Sequence, residues 1–417
     1  MVLLRSPGTV EVTSYASAIG RRVKNWNDQL YAVVGQYLYS VDAGGLSVNL
    51  GSLIGSRRCT FGAGLDEMAI CSSPNAYVLS SGGLSQITDA DFLSPGGVAA
   101  VDGYAVFYEK DSNKLFCSDL NDFSSYDALY YATAEGAPGN INGIIADHRQ
   151  ILLTKASSCE LWENVGGAGF PFARAINGFM EFGCVSGDTL TKADNTVYML
   201  CSDLTVRRLE GLTWHRVSQH GVEQAIRTYD TSGVYGYTHT EDGHIFYCLT
   251  FPESDATWCF DVTTNEWHER ESDGGHWRPV DAVQCYGKTY IQRLDTGAVG
   301  YLDPDVYTDC GDRMDVEWTY GAVYKSNKPL VHSMLEVVLE TGNGIVGSTT
   351  APQILLSQSN DGGREWHAMP MKSIGKIGER RTRVRWHALG QARDRIYRMR
   401  VTDPVKVVVT DTQIEVS

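Results

Sequence analysis

Residues 233–270 carry the pattern that most constrains the fold of this chain. The pattern predicts four short strands in a row, at residues 234–238, 244–250, 257–262 and 266–270. Residues 241–243 and 252–255, which separate them, are Glu, Asp, Gly, Pro and Ser, and these residue types favour turns. Four short antiparallel strands within about 40 residues are typical of one blade of a β-propeller.

A single blade cannot bury both of its faces, so this stretch predicts further blades on either side. The same order of elements recurs at residues 30–42, 67–80, 98–119, 144–163, 189–217 and 280–303. Outer strands share an aliphatic residue, a Tyr or Phe, and a closing Asp, as at Leu38, Tyr39 and Asp42. Because the repeat is degenerate, the sequence predicts a six- to seven-bladed β-propeller.

The repeat stops near residue 311, and the following residues have a different pattern. Residues 312–417 contain about seven β-prone segments, which is typical of a β-sandwich of immunoglobulin-like size. The longest helical candidate, residues 221–228, spans two turns at most. We therefore predict an all-β chain, in which residues 27–311 form the propeller, residues 312–417 form a C-terminal β-sandwich-like domain, and residues 1–26 are an N-terminal segment and a candidate to close the propeller.

The charge of the chain is divided unevenly between these two regions. Residues 312–417 have a net charge of +3, and the other residues have a net charge of −18. An acidic propeller repels the phosphates of nucleic acid, which disfavours a protein that reads DNA sequence.

The ten cysteines include no C-x-x-C pair, which disfavours a zinc ribbon. Most lie in apolar strand segments, where a free cysteine behaves as a small buried hydrophobe, and this suits a reducing compartment. No apolar run is long enough to span a membrane, and Arg5 to Gly8 interrupts the first apolar residues. We expect a soluble protein made in the cytoplasm, without a cofactor or a bound metal.

One motif in the C-terminal region is specific. Ser359, Asp361, Gly363 and Trp366 fit the Asp-box pattern S-x-D-x-G-x-x-W. The pattern describes a hairpin turn. In this turn the Asp accepts backbone hydrogen bonds, the Gly adopts a positive φ, and the Trp packs back on the hairpin. The motif predicts a structural device and is weak support for glycosidase chemistry.

A run of basic residues follows this hairpin and forms a candidate interaction surface. One interpretation is a solvated sheet face, or salt bridges to a neighbouring acidic propeller; the other is contact with phosphates or an acidic partner protein. The run consists of Lys372, Lys376, Arg380, Arg381, Arg383, Arg385, Arg393, Arg395, Arg398 and Arg400.

The sequence contains no convincing catalytic constellation. It has no G-x-S-x-G, no H-E-x-x-H and no phosphate-binding loop. His268 and His276 lie near acidic residues and form a weak candidate metal site, for which a polar loop between blades is the simpler interpretation. We therefore predict that the chain is not an enzyme, and the alternative is a carbohydrate-binding or carbohydrate-hydrolysing, sialidase-like propeller.

The order of several segments resembles a known family, the packaged-DNA stabilisation proteins of short-tailed phages, also called tail accessory, hub or nozzle proteins. The segments are LRSPGT at residues 4–9, residues 147–162, LLSQSNDGG at residues 355–363, and residues 395–416 with Arg400, Val401, Pro404, Val405, Gln413 and Ile414.

The resemblance implies a structural role in the virion tail, after assembly in the host cytoplasm. It implies a ring of copies of this chain, expected to be a hexamer, bound to the head-to-tail adaptor protein below the portal. The ring would extend the DNA channel, retain the packaged genome and dock a tail needle or fibres, while DNA passes without sequence-specific binding.

Overall fold

Antiparallel β-strands make up most of the chain in the computed structural model, which describes residues 3–15, 18–167, 169–326, 328–342, 351–380 and 382–417. The chain divides into two units. The propeller unit comprises Glu11–Arg270 and Gly275–Tyr301, and the sandwich unit comprises Met1–Val10, Glu271–Gly274 and Leu302–Ser417. The all-β class with a propeller and a C-terminal sandwich is confirmed.

The described residues form seven four-stranded blades, which decides between the six and seven that the sequence left open. Blade 1 has the strands Gly20–Trp26, Gln29–Val34, Tyr37–Val41 and Ser47–Ser52, and blade 2 has Thr60–Ala63, Met68–Ser72, Asn75–Ser80 and Gly83–Gln86. Blade 3 has Pro95–Val101, Tyr104–Glu109, Lys114–Asp119 and Asp122–Thr133, and blade 4 has Ile141–Asp147, Gln150–Lys155, Cys159–Asn164 and Phe172–Met180.

Blade 7 takes its fourth strand from the opposite end of the chain, Gly8–Thr13. The strands of blades 5 and 6 are Thr191–Ala193, Thr196–Leu200, Val206–Glu210, Thr213–Arg216; and Tyr235–Glu241, His244–Phe251, Ala256–Asp261, Glu266–Glu269. Blade 7 also contains Pro279–Cys285, Lys288–Arg293 and Val299–Asp303. Blade 7 thus combines strands from the beginning and the end of the propeller region, which holds the ring of blades closed.

Apolar clusters fill the spaces between successive blades. Trp162, for example, packs with Val106 and Leu115 between blades 3 and 4, and Tyr247 packs with Tyr198 between blades 5 and 6. The interface of blades 6 and 7 contains instead a mixed cluster of Trp277 with charged residues. Each blade is therefore stabilised mainly by its two neighbours, as the sequence pattern predicts.

The alternation of strand direction within each blade gives the propeller two distinct loop faces. The first strand of every blade lies innermost, so the turn after the first strand and the turn after the third strand emerge on one side. We call this side the turn face; its turns include residues 27–28, 64–67, 102–103, 120–121, 148–149, 194–195, 242–243 and 286–287. Contacts such as His148 Nε2 to Asn195 Oδ1, at 3.0 Å, join turns of neighbouring blades.

The sandwich unit consists of two sheets around a single apolar core. One sheet has the strand order Leu3–Leu4, Val408–Val416, Leu330–Leu339, Val384–Ala392. The other has the order Val316–Thr319, Asp394–Val401, Gln353–Ser359, His367–Ala368, with Val323–Tyr324 and Lys372–Ser373 pairing at its edges. The core includes Trp318, Leu335, Leu356, Trp386 and Met399.

The segment LRSPGT is anchored within the sandwich unit by its arginine and its glycine. Arg5 donates to the carbonyl oxygens of Asp403 and Val405, at 2.6 and 2.9 Å, and to those of Tyr307 and Met314. A Cβ at Gly8 would lie 2.4 Å from the Thr308 carbonyl oxygen, so only glycine fits there. These contacts explain why the segment has an arginine at residue 5 and a glycine at residue 8.

The remaining elements are short. They are the helix His220–Ile226, the 3₁₀ turns Gly187–Thr189 and Pro252–Ser254, and the strands Glu271–Ser272, Gly275–His276, Thr308–Asp309 and Asp312–Arg313. None of the helices in the described ranges is both long and apolar enough to cross a membrane.

Candidate functional site

The structure distributes the predicted basic residues over opposite faces of the sandwich. Val384 and Trp386 point into the core, so Arg385 on the same strand points outward from one sheet. Tyr397, Met399 and Val401 point into the core from the other sheet, so Arg398 and Arg400 point outward on the far side. Strand alternation therefore does not bring these arginines together into one surface.

Several of the arginines are neutralised by acidic residues on neighbouring strands. Arg383 and Arg385 contact the two oxygens of Glu336 at 3.1 and 2.8 Å, and the hydrogen bond from Arg385 lowers the pKa of Glu336. Arg400 pairs with Asp315 through Nε at 3.0 Å. The acidic partners belong to the sandwich unit itself, so the charges of these three arginines are balanced locally.

Arg395 and Arg398 have structural positions of their own. Arg395 is buried and donates to Asn360 Oδ1 at 2.8 Å and to the Leu389 carbonyl oxygen at 2.5 Å. The Arg398 guanidinium lies 4.2 Å from the ring centre of Trp366. Both side chains thus fix the Asp-box hairpin and its surroundings.

The remaining residues of the predicted basic run lack the ion pairs and structural contacts described above or lie outside the described residues. Lys372, Lys376, Arg380 and Arg393 make no ion pair with any described residue. Lys376, Arg380 and Arg393 are exposed, and Lys372 is partly exposed. Arg381 lies outside the described residues.

The Asp-box residues form the turn between the strands Gln353–Ser359 and His367–Ala368. Ser359 Oγ donates to Asp361 Oδ1 at 2.7 Å and accepts from the Gly363 N–H at 2.9 Å. Asp361 Oδ1 accepts from the backbone N–H of Arg364 at 3.0 Å, and Gly363 has φ of +93°. The motif is a hairpin clamp in the sandwich unit.

The axis of the propeller is occupied by Arg58, which the sequence analysis did not single out. Its guanidinium donates to the carbonyl oxygens of Asp188, Gly236 and Val280, at 2.8, 2.9 and 3.1 Å, and pairs with Asp281 at 3.3 Å. These partners belong to the entries into blades 5, 6 and 7, while Arg58 precedes blade 2. Residues from opposite sides of a ring can meet only at its axis, so Arg58 closes the central opening.

Buried ionic groups also lie between blades 6 and 7. Arg270 contacts Glu241 at 2.9 Å and stacks on Trp277, and His239 Nε2 lies 3.4 Å from Glu241. Burial lowers the pKa of His239 to about 4. Burial alone would raise the pKa of Glu241, but the Arg270 charge outweighs it and holds that pKa at about 2. The cluster is therefore an ionised Glu–Arg pair beside a neutral histidine at neutral pH.

A cleft of about 280 Å³ opens on the turn face where the inner strands of blades 5, 6 and 7 end. Its lining includes Lys192, Asp194, Thr238, Gln284 and Thr289, and it contains no Trp, Tyr or Phe. A sugar site usually offers an aromatic face to the ligand. This cleft therefore gives no support to the carbohydrate-binding alternative.

Across the described ranges, no three His, Cys, Asp or Glu side chains are arranged to hold a metal ion. His268 and His276, the weak candidates from the sequence, have separate surroundings. His276 Nδ1 lies 2.6 Å from Asp255, while burial lowers the pKa of His268 to about 3. Nine of the cysteines are buried free thiols.

Two family models match this architecture. The model described as "Bacteriophage P22 Gp10, beta-propeller" matches residues 1–307, and "Bacteriophage P22 Gp10, beta-sandwich" matches residues 317–417. The chain belongs to the bacteriophage P22 Gp10 family. It is therefore a structural component of a phage tail and a part of the virion.

Solved structures share the fold of this Gp10 family member at low sequence identity. Two structures of the extracellular domain of BT4673 from B. thetaiotaomicron, described as a one-component and as a hybrid two-component system, have TM-scores of 0.50 and 0.51 at 9% and 8% identity. They cover 93% of this chain, which spans only 54% and 56% of theirs. No curated protein sequence matches the chain.

The sequence did carry a signal for the axial arginine of this Gp10 family member. Arg57 and Arg58 are adjacent basic residues in the link between blades 1 and 2, within a propeller region that has a net negative charge. Two adjacent cationic side chains directly before an apolar inner strand are unusual, and this suggests that a buried partner group holds one of them. Its partners could not be named, because they lie 130 or more residues away along the chain.

Proposed function

We propose that this chain forms a hub or nozzle ring in the tail, with six copies bound head to tail below the portal and its adaptor proteins. The ring extends the DNA channel, helps to retain the packaged genome and provides a docking surface for distal tail parts such as a needle or fibres. The observation that carries the proposal is the opposite net charge of the two regions, −18 and +3, in a member of a tail protein family.

Opposite charges on two regions of one chain favour contact between unlike surfaces of neighbouring copies. Such heterologous contacts generate a closed ring when the rotation between copies closes. A two-fold dimer could also pair the acidic region of each copy with the basic region of the other. The charge division therefore favours contacts between unlike regions, and the mass of the assembly distinguishes a ring from a dimer.

The sealed propeller axis supports a DNA channel between copies. Because Arg58 bonds to residues of three blades at the axis, the opening within one propeller is closed to a DNA duplex. The duplex must then pass through the space that a ring of copies encloses. Acidic walls in that space would let DNA slide, since phosphate contacts with basic residues would hold it back.

The test is the mass of the purified chain, alone and mixed with the portal–adaptor complex of its phage. We expect a six-copy ring, either free at micromolar concentration or formed on the adaptor, by native mass spectrometry or light scattering. A monomer that ignores the adaptor would overturn the proposal. A glycan screen on the same sample would then test the carbohydrate-binding alternative.

A further inference from the structure

Three turns of blades 1, 2 and 3 form one continuous surface of mixed acidic and apolar character. We call it the turn patch: Asp28, Leu65, Asp66, Leu120 and Asp122. Leu65 and Leu120 are 82% and 56% exposed, although both are large aliphatic side chains at the tips of turns. No described residue forms an ion pair with the three carboxylates.

Hydrogen bonds between neighbouring blades hold these turns together. Asn27 Nδ2 donates to the Leu65 carbonyl oxygen at 3.2 Å, which joins the turns of blades 1 and 2. The Phe123 N–H donates to Glu67 Oε2 at 2.7 Å, which joins those of blades 2 and 3. The patch is therefore a fixed surface of the propeller unit.

The sandwich unit carries a surface of the complementary kind. We call it the basic loop: Met371, Lys372, Lys376, Ile377 and Arg380. Met371 and Ile377 are 60% and 62% exposed, and the three cationic side chains have no acidic partner in the described part of the chain. The loop is held in shape by the Lys376 N–H, which donates to Glu379 Oε2 at 2.9 Å.

We infer that the turn patch of one copy binds the basic loop of a neighbouring copy. The inference rests on the proposed function, since it assigns the contact by which copies of the ring meet. Each surface offers two exposed apolar side chains and three charged groups that make no ion pair. Those of the patch are negative and those of the loop are positive, and the loop stays net positive with Glu379 counted. Burying the aliphatic groups against each other would supply affinity, while the charges would select the register.

The chemistry of the basic loop favours a protein partner over DNA. Phosphate contacts need cations and hydrogen-bond donors, and exposed Met371 and Ile377 would gain nothing from them. Exposed aliphatic groups beside charges are typical of the centre and rim of protein interfaces. Contact of the loop with DNA is therefore the competing outcome of the test.

The test is a charge exchange between the two surfaces in the full-length chain. The patch variant is D66K/D122K, the loop variant is K376E/R380E, and the exchange variant combines all four substitutions. The matched control is D91K/E253K, which reverses two exposed carboxylates on the face opposite the turn face. Circular dichroism and thermal unfolding verify that each variant is folded.

We expect the patch and loop variants to assemble at least about tenfold more weakly than the unaltered chain, and the exchange variant to recover most of that loss. The control should assemble normally. Higher salt should weaken assembly of the unaltered chain, because the contact is partly ionic.

A cross-link gives a second measurement that does not depend on charge. Cysteines at both Leu65 and Ile377, in one chain, should yield a ladder of covalent oligomers on mild oxidation. Cysteine at Leu65 alone should yield none, because turn patches of neighbouring copies do not meet in this arrangement. The ladder would support the inference.

The outcomes separate the contact from the ring itself. Rings that form equally well in all variants, or an exchange variant that stays as weak as its parents, would overturn the inference and leave the hub proposal standing. Loss of DNA retention with normal rings in the loop variant would also overturn it, in favour of DNA contact. An unaltered chain that never forms a ring would overturn both.

Discussion

The propeller unit and the sandwich unit use buried charge in different ways. The propeller places an arginine, Arg58, at its axis and a second, Arg270, between two blades. The sandwich has an apolar core, and its Arg5 and Arg395 donate to backbone carbonyl groups. Its Arg383, Arg385 and Arg400 instead point outward, where acidic neighbours pair with them. The inner strands of a propeller converge from several directions, so one long polar side chain can satisfy many carbonyl groups there.

The distribution of apolar core differs as well. The propeller has a separate cluster at successive blade interfaces, while the sandwich depends on one cluster around Trp386 and Met399. Damage to a single core residue should therefore spread through the sandwich but stay local in the propeller. The following predictions test that contrast, from the largest expected effect to the smallest.

Replacement of Trp386 by Ala should destabilise the sandwich by about 4 kcal/mol, because it removes a buried aromatic group from the single core. Calorimetry should show a lower transition for the sandwich and an unchanged transition for the propeller. Val331→Ala, at a site that is 45% exposed, serves as control and should change little. Equal shifts of both transitions would show that the two units do not respond separately.

Replacement of Arg58 by Ala should destabilise the propeller by about 3 kcal/mol, because three carbonyl oxygens and Asp281 lose a buried partner. Denaturant unfolding of the full chain measures the change. The control is Arg227→Ala, an exposed arginine after the short helix. A near-zero effect would mean that water replaces the guanidinium, and the axis would then not be sealed by Arg58.

Acidification should destabilise the propeller through His239. Its folded-state pKa of about 4 lies below the unfolded value of about 6.5, so the unfolded chain takes up the proton first. The contribution of neutral His239 to the free energy of unfolding is fully present above about pH 6.5 and is lost as pH falls toward about 4. At pH 5 the loss from this residue is about 2 kcal/mol.

Unfolding in denaturant at pH 7.5 and pH 5 checks this window. His239→Gln should reduce the difference by the share of His239, about 2 kcal/mol, and leave a similar share from His268, whose pKa burial lowers to about 3. His148→Gln, at an exposed turn, should retain the full difference. The groups that face His239 are Glu241, Arg270 and Cys248. A pH dependence that is undiminished in His239→Gln would assign the effect to other groups.

Replacement of Ser359 by Ala should have the smallest effect, about 1 kcal/mol in the sandwich. It removes the hydroxyl that accepts from the Gly363 N–H and donates to Asp361. Thermal unfolding measures the change, and the control is Ser333→Ala, at a partly exposed strand position where the hydroxyl makes one hydrogen bond, to the Glu415 carbonyl oxygen. A loss as large as that of Trp386→Ala would make the hairpin clamp part of the core of the sandwich rather than a local device.

Much of the architecture could be predicted from local pattern. The alternation of apolar and polar residues and the turn residues Asp, Asn and Gly define strands and hairpins within a few residues. All seven blades coincide with stretches that the sequence singles out, and residues 233–270 contain the four strands of blade 6 nearly as predicted. The Asp-box hairpin is equally local, since its hydrogen bonds span four residues or fewer.

The sequence by itself determined the strands, the turns, the repeat and the sign of charge in each region, because these depend on neighbouring residues. Only the tertiary structure decided the number of blades, the strand Gly8–Thr13 that completes blade 7, and the position of Arg58 at the axis. It also decided that Arg385 and Arg398 lie on opposite faces of the sandwich. Those features require contacts between residues far apart in the chain, and such contacts form only when the ring of blades and the two sheets close.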